Sequence, residues 1–113
     1  MRPLLAYSLL AAAALLLAAA GPIAAQGPAA MHKRGEELLT KNCAPCHAVG
    51  TTGTSAHKDA PAFRTLSKLY PIETLAESLA EGLFTGHPDM PEFVFEAPDV
   101  GAILAYLESI QER

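Results

Sequence analysis

The only two cysteines of the chain stand three positions apart, in the run Cys43-Ala44-Pro45-Cys46-His47, with a histidine directly behind the second. A disulfide between them would close a loop too short to remove much entropy from the unfolded chain, so it would stabilise a fold little. The pair therefore points to chemistry, and whatever that chemistry needs, a chain of 113 residues has to fold around it.

The amino end narrows the setting. One positive charge at Arg2 is followed by a Leu- and Ala-rich run from Leu4 to Ala20, and no further charged residue comes before Lys33. A basic start, an apolar middle and small residues before a cleavage point make a secretory signal. Residues 1–25 are expected to be that signal, cut after Ala25 with Ile23 and Ala25 as the positions read by the peptidase; a cut after Ala20 also suits the small residues there. The alternative is an uncleaved anchor, because the run from Leu4 to Ala20 is near the short end of what spans a bilayer. A membrane association is expected only in that case.

Removing the leader changes the composition that matters. The 50% apolar content is inflated by it, and Arg2 leaves with it, so 7 basic side chains face 12 acidic ones in residues 26–113. The formal charge becomes −5, one unit more negative than the −4 of the full chain. An acidic balance argues against nucleic acid and anionic membrane surfaces as partners. One domain of this size usually needs a metal, a disulfide or a bound group to supplement its core.

A Cys-x-x-Cys-His group serves three chemistries: a redox dithiol, half of a zinc site, or the covalent attachment of a c-type haem. Zinc needs a second close pair of ligands, and His57 and His87 do not form one in sequence. Dithiol sites of the thioredoxin type sit between strand and helix, and residues 26–113 show no convincing strand. What they show is an all-α pattern of three or four helices. The first is predicted over Met31–Asn42, with Leu38, Leu39 and Met31 facing a core. A short one is expected from Pro61 to Leu69. The next starts at Pro71 and carries Ile72, Leu75, Ala76, Leu79, Ala80 and Leu83 on one face, with Gly82 at its stop. The last opens at Pro98 and Asp99, and its Val100, Ile103, Leu104, Leu107 and Ile110 form an apolar stripe beside Tyr106. Gly35 inside the first helix costs about 1 kcal/mol relative to Ala. A close crossing by the last helix at Tyr106 compensates; a frayed, inert first turn is the alternative.

The whole of residues 31–111 then resembles the class I, single-haem cytochromes c. The resemblance rests on CAPCH, on Gly35 and Leu39 ahead of it, on Met90-Pro91 downstream, and on the closing LAYL of Leu104–Leu107. It implies a cytochrome c fold in which the amino- and carboxy-terminal helices cross at a glycine and an aromatic, matching Gly35 and Tyr106. It implies one covalent haem c, held by thioethers from Cys43 and Cys46, with His47 on one side of the iron and Met90 on the other. A backbone carbonyl is expected to orient His47, and the family's proline matches Pro61, although Ala60 replaces the Gly usual before it. Physical reasons run alongside: one turn of chain lets two thiols reach the two vinyl groups, and the next residue is delivered to the iron. A thioether is a soft neutral ligand that raises the potential, and Met90 lies in a polar loop where no apolar periodicity draws it inward. His87, three residues earlier, is the competing ligand. Phe84, Phe93 and Phe95 are expected to line the haem pocket, Tyr70 or Tyr106 to edge it, and Arg64 and Lys68 to reach the propionates. His32 and His57 are expected to be solvated.

With both axial positions filled, the expected role is electron transfer rather than catalysis. A periplasmic, monomeric carrier is expected, passing electrons to a partner such as a periplasmic dehydrogenase or a terminal oxidase, with basic patches facing its acidic surface. An exported dithiol oxidoreductase, and a haem-bearing subunit or sensor of a larger complex, are the rival readings.

Overall fold

The computed structural model describes residues 27–82 and 87–113. The leader, and with it the boundary at residue 25, lies outside the described residues, as do Leu83 and Phe84. Among the described residues there are three α-helices and two short 3-10 helices, and no strand: α1 Pro28–Asn42, a 3-10 helix Phe63–Lys68, a 3-10 turn Ile72–Thr74, α2 Leu75–Glu81 and α3 Ala97–Ile110. No helix among them is long and apolar enough to cross a membrane.

α1 begins three residues before the predicted Met31, because Pro28 suits a first turn that has no use for its missing N–H. It ends as predicted at Asn42, whose side-chain amide donates to Leu38 O at 2.8 Å and satisfies a carbonyl the helix leaves open. The helix predicted from Pro61 is instead a 3-10 helix that starts at Phe63. Its geometry eclipses positions three apart, which lets Phe63 and Leu66 bury the same edge. Pro71 is likewise not inside a helix: it is the extended cap of the turn that leads into α2. Of the stripe assigned to that segment, Ile72 and Leu79 are buried, Leu75 and Ala76 are half-buried, and Ala80 is exposed.

α1 packs across α3, and α2 packs against α3 from elsewhere. A Cβ on Gly35 would overlap the backbone carbonyl oxygen of Ala102 and would come within 2.8 Å of Tyr106 Cβ. The crossing is therefore closer than any other residue would permit, which is the compensation that a mid-helix glycine requires. Ala102, buried on the same face, is the partner that sequence reading missed. Arg34 fixes the register by donating to both carboxylate oxygens of Asp99, at 3.0 and 3.2 Å. Leu38, Leu39, Ile72, Leu79, Val100, Leu107 and the fully buried Ile103 fill the space between the helices.

A strap follows α3. Gln111 donates to Phe63 O at 2.8 Å and accepts from Ser67 N at 2.8 Å, while Glu112 N donates to Arg64 O at 2.8 Å. These bonds tie the 3-10 helix Phe63–Lys68 to the end of α3. The carboxylate of Glu112 adds ion pairs with Arg64 at 3.1 Å and Lys68 at 2.8 Å. The hydrogen bond from Lys68, then its charge, hold the Glu112 carboxyl below the usual carboxylate range.

Candidate haem site

α1 runs directly into the cysteine turn. Cys43 N and Ala44 N both donate to Leu39 O, at 2.8 and 3.1 Å, and Cys46 N and His47 N both donate to Cys43 O, at 3.1 and 2.9 Å. That single turn presents Cys43, Cys46 and His47 to one cavity of about 400 Å³, lined mostly by apolar atoms. Burial, then the neighbouring Cys46, pushes the Cys43 thiol up to about 11.

His47 is held by two contacts. Its Nδ1–H donates to Pro61 O at 2.7 Å, and its ring stacks on Phe63 at 4.6 Å. With Nδ1 committed as donor, Nε2 is the nitrogen left with a lone pair. Phe63 N in turn donates to Ala48 O at 3.0 Å, so the segment after His47 and the segment carrying Pro61 are joined on both sides of the ring. Ser55 closes the intervening loop by accepting from Ala48 N at 3.0 Å.

The opposite end of the chain supplies Met90, Pro91 and Phe93 to the same cavity, and Leu66, Leu69 and Tyr70 complete its apolar lining. The segment that carries Met90 returns to the helices where Phe95 N donates to Leu79 O at 2.8 Å. At its start Gly82 has φ +121°, and the Glu92 side chain lies where a Cβ on Gly82 would be.

Several residues expected at the pocket are elsewhere. Tyr106 does not line the cavity: its ring belongs to the helix crossing, and its hydroxyl donates to Val49 O at 3.1 Å. Phe95 packs on the helical core, stacked at 6.2 Å with the cavity-lining Phe93. Arg64 and Lys68 are drawn away by Glu112, and Arg64 also donates to Gly53 O at 2.9 Å, so neither lines the cavity. Phe84 lies outside the described residues. His57, expected to be solvated, and His87 both line the cavity together with Asp59 and Asp89. The signal that could have found them is the tripeptide His-x-Asp, present at both 57–59 and 87–89.

The donor set fits a covalently held haem: two thiols on one turn, an imidazole with one nitrogen oriented by a carbonyl, a thioether from a distant segment, and a largely apolar cavity between them. The comparisons with known proteins agree. The family model described as cytochrome c oxidase, cbb3-type, subunit III matches residues 30–107. A cytochrome c-552 of Bradyrhizobium diazoefficiens is 32% identical over 83 residues, which cover 74% of this chain and 78% of that protein.

This chain belongs to the c-type cytochromes.

No solved structure matches it. The cofactor of a c-type cytochrome is covalently bound haem c, and its role is electron transfer.

Proposed function

We propose that the protein is an exported, periplasmic carrier of single electrons. In this reading Cys43 and Cys46 hold one haem c through thioethers, His47 Nε2 ligates one face of the iron, and Met90 Sδ ligates the other. The haem supplies the iron couple that cycles between ferrous and ferric states. The observation that supports the assignment is the meeting of Met90 with Cys43, Cys46 and His47 at one cavity, although 43 positions of sequence separate Met90 from His47.

The chain's own groups then have defined tasks. Pro61 O accepts from His47 Nδ1–H and so fixes the tautomer and the ring plane. Phe63, Leu66, Leu69 and Phe93 keep water from the iron, and Met90 as a neutral thioether favours the ferrous state over what a second imidazole would give. Two protein ligands leave no open position for a substrate, which makes transfer rather than catalysis the function. A dithiol enzyme of the thioredoxin type is disfavoured because the cysteine turn follows α1 and no strand lies beside it among the described residues.

A terminal oxidase or a periplasmic dehydrogenase is the proposed partner, met through a small, short-lived contact. The similarity to subunit III of cbb3-type cytochrome c oxidase favours the oxidase, and also a second reading in which the protein is a standing subunit of such a complex. Co-purification with an oxidase at stoichiometric yield would select the subunit reading; a protein that runs alone in solution selects the carrier.

The ligand set is tested by the visible spectrum of the haem-loaded protein, oxidised and reduced, before and after denaturation and acid-solvent extraction. Haem that stays with the polypeptide, together with a weak red sulfur-to-iron charge-transfer band in the oxidised form, is expected. Loss of that band in Met90→Ala completes the assignment. A wild-type spectrum without it moves the sixth ligand away from Met90, with His87 as the first alternative.

A further inference from the structure

Two His-x-Asp tripeptides, His57-Lys58-Asp59 and His87-Pro88-Asp89, meet at the cavity rim. Within each, the Asp backbone N–H donates to Nδ1 of its own histidine, at 3.2 Å in the first and 3.4 Å in the second. An Nδ1 that accepts leaves the proton of a neutral ring on Nε2. Between the tripeptides the pairing is crossed. His57 Nε2–H donates to Asp89 Oδ2 at 3.2 Å, and His87 Nε2 stands 3.8 Å from Asp59 Oδ2. The two rings meet edge to face at 5.4 Å.

His57 has one more bond, and it sets the direction of the argument. Its backbone N–H donates to Cys46 O at 3.1 Å. A single residue thus spans from the cysteine turn, through its main chain, to the neighbour of Met90, through its side chain. Met90 N itself donates to His87 O at 3.2 Å, so the turn that bears the thioether is built on the second tripeptide.

We infer that His57 is a positioning residue for Met90: by holding Asp89, it keeps the Met90 turn docked on the cysteine turn and the thioether in place at the iron. The inference rests on the reading of Met90 as the sixth ligand. His57 does not touch the iron in this role. What it controls is how readily Met90 gives way to another ligand. The Asp89 side chain is two-thirds exposed, so the bond is screened and its effect is modest, about fivefold in the occupancy of Met90 against a competitor.

The test uses the haem-loaded, oxidised protein with free imidazole as the competing ligand, read by disappearance of the red charge-transfer band. His57→Ala is expected to bind imidazole about fivefold more tightly than the wild type. His57→Gln, whose amide N–H still reaches a carboxylate, is expected to return to within about twofold of it. A purely structural loss would not separate Ala from Gln in this way. If His57→Ala does not accumulate with haem, Asp89→Ala removes the acceptor and carries the same expectation. Wild-type affinity in His57→Ala and Asp89→Ala, with the wild-type band present, overturns the inference alone. A wild type that lacks the band overturns the Met90 reading and this inference with it.

Discussion

The two halves of this cytochrome are held by different forces. At the crossing of α1 and α3, apolar side chains fill the space around Gly35, and Ile103 is wholly removed from water. Around the cavity, the segments 43–71 and 87–96 contain only short helical pieces; beyond Phe63 and Leu66, which pack into the helical core, they are tied by individual hydrogen bonds: Ala48 to Phe63, His47 to Pro61 and His57 to Cys46 within the first segment, and His57 to Asp89 between the two. The first half is a core in its own right. The second is a wall around a space of about 400 Å³ that the protein's own atoms do not fill. The difference teaches that the cofactor is a structural component of one half and a passenger of the other.

The largest expected effect tests that division directly. The double variant Cys43→Ser/Cys46→Ser, made without haem, should lose its cooperative thermal transition in far-UV circular dichroism. A sharp transition near the wild-type midpoint would mean that the cavity half holds together without the haem and would break the comparison. Next comes the crossing in the haem-loaded protein. Gly35→Ala gains about 1 kcal/mol of helix propensity, yet its methyl meets the Ala102 carbonyl and Tyr106 Cβ. A net loss of about 3 kcal/mol by denaturant titration is expected. A neutral or stabilising result would show that α1 and α3 separate freely.

Tyr106→Phe is smaller and sharper, because the Tyr106 hydroxyl bonded to Val49 O is a link between the two halves. About 1 kcal/mol of stability should be lost, with the red charge-transfer band unchanged, since Tyr106 does not line the cavity. The smallest effect belongs to Glu112. Its carboxyl is held low by Lys68 and then Arg64, so its contribution is present above the ordinary carboxylate pKa and is lost as pH falls through the lowered folded value. Glu112→Gln should therefore lower stability at pH 7 to 8, where the wild-type contribution is fully present, and flatten the acid side of the stability profile, where the wild type loses it. A variant with the wild-type acid slope would show that the strap contributes through Gln111 alone.

The first half was largely legible in the sequence, because helical periodicity is a local signal and Gly35 is an anomaly that asks for a partner. Even there the reading named Tyr106 and missed Ala102, since the closest contact is a backbone carbonyl, which no side-chain pattern announces. The cysteine turn, and Met90 as a residue of the same cavity, were legible through motif and resemblance. Their surroundings were less so. Arg64 and Lys68 were expected at the haem because they are cationic and nearby in sequence, but Glu112, more than 40 positions away, takes both. The short segments after Pro61 and Pro71 read as ordinary helices because a 3-10 turn and an α-turn share their first three residues. The crossed pairing of His57 with Asp89 and His87 with Asp59 joins loops 30 positions apart, and single-sequence periodicity carries no information about such meetings.

The placement of both anchoring cysteines and His47 on the one turn after α1 has a kinetic consequence. In a haem-loaded chain, breaking the bonds that hold the Met90 segment, Phe95 N to Leu79 O and His57 to Asp89, frees that segment but leaves the cofactor attached to the cysteine turn. Recovery is then a reaction of one molecule with itself, with a rate independent of protein or haem concentration. A haem held only by packing and ligation would instead have to be found again in bulk solution after each such opening. For a protein whose cofactor stays attached through such openings, reversibility of unfolding matters as much as its equilibrium.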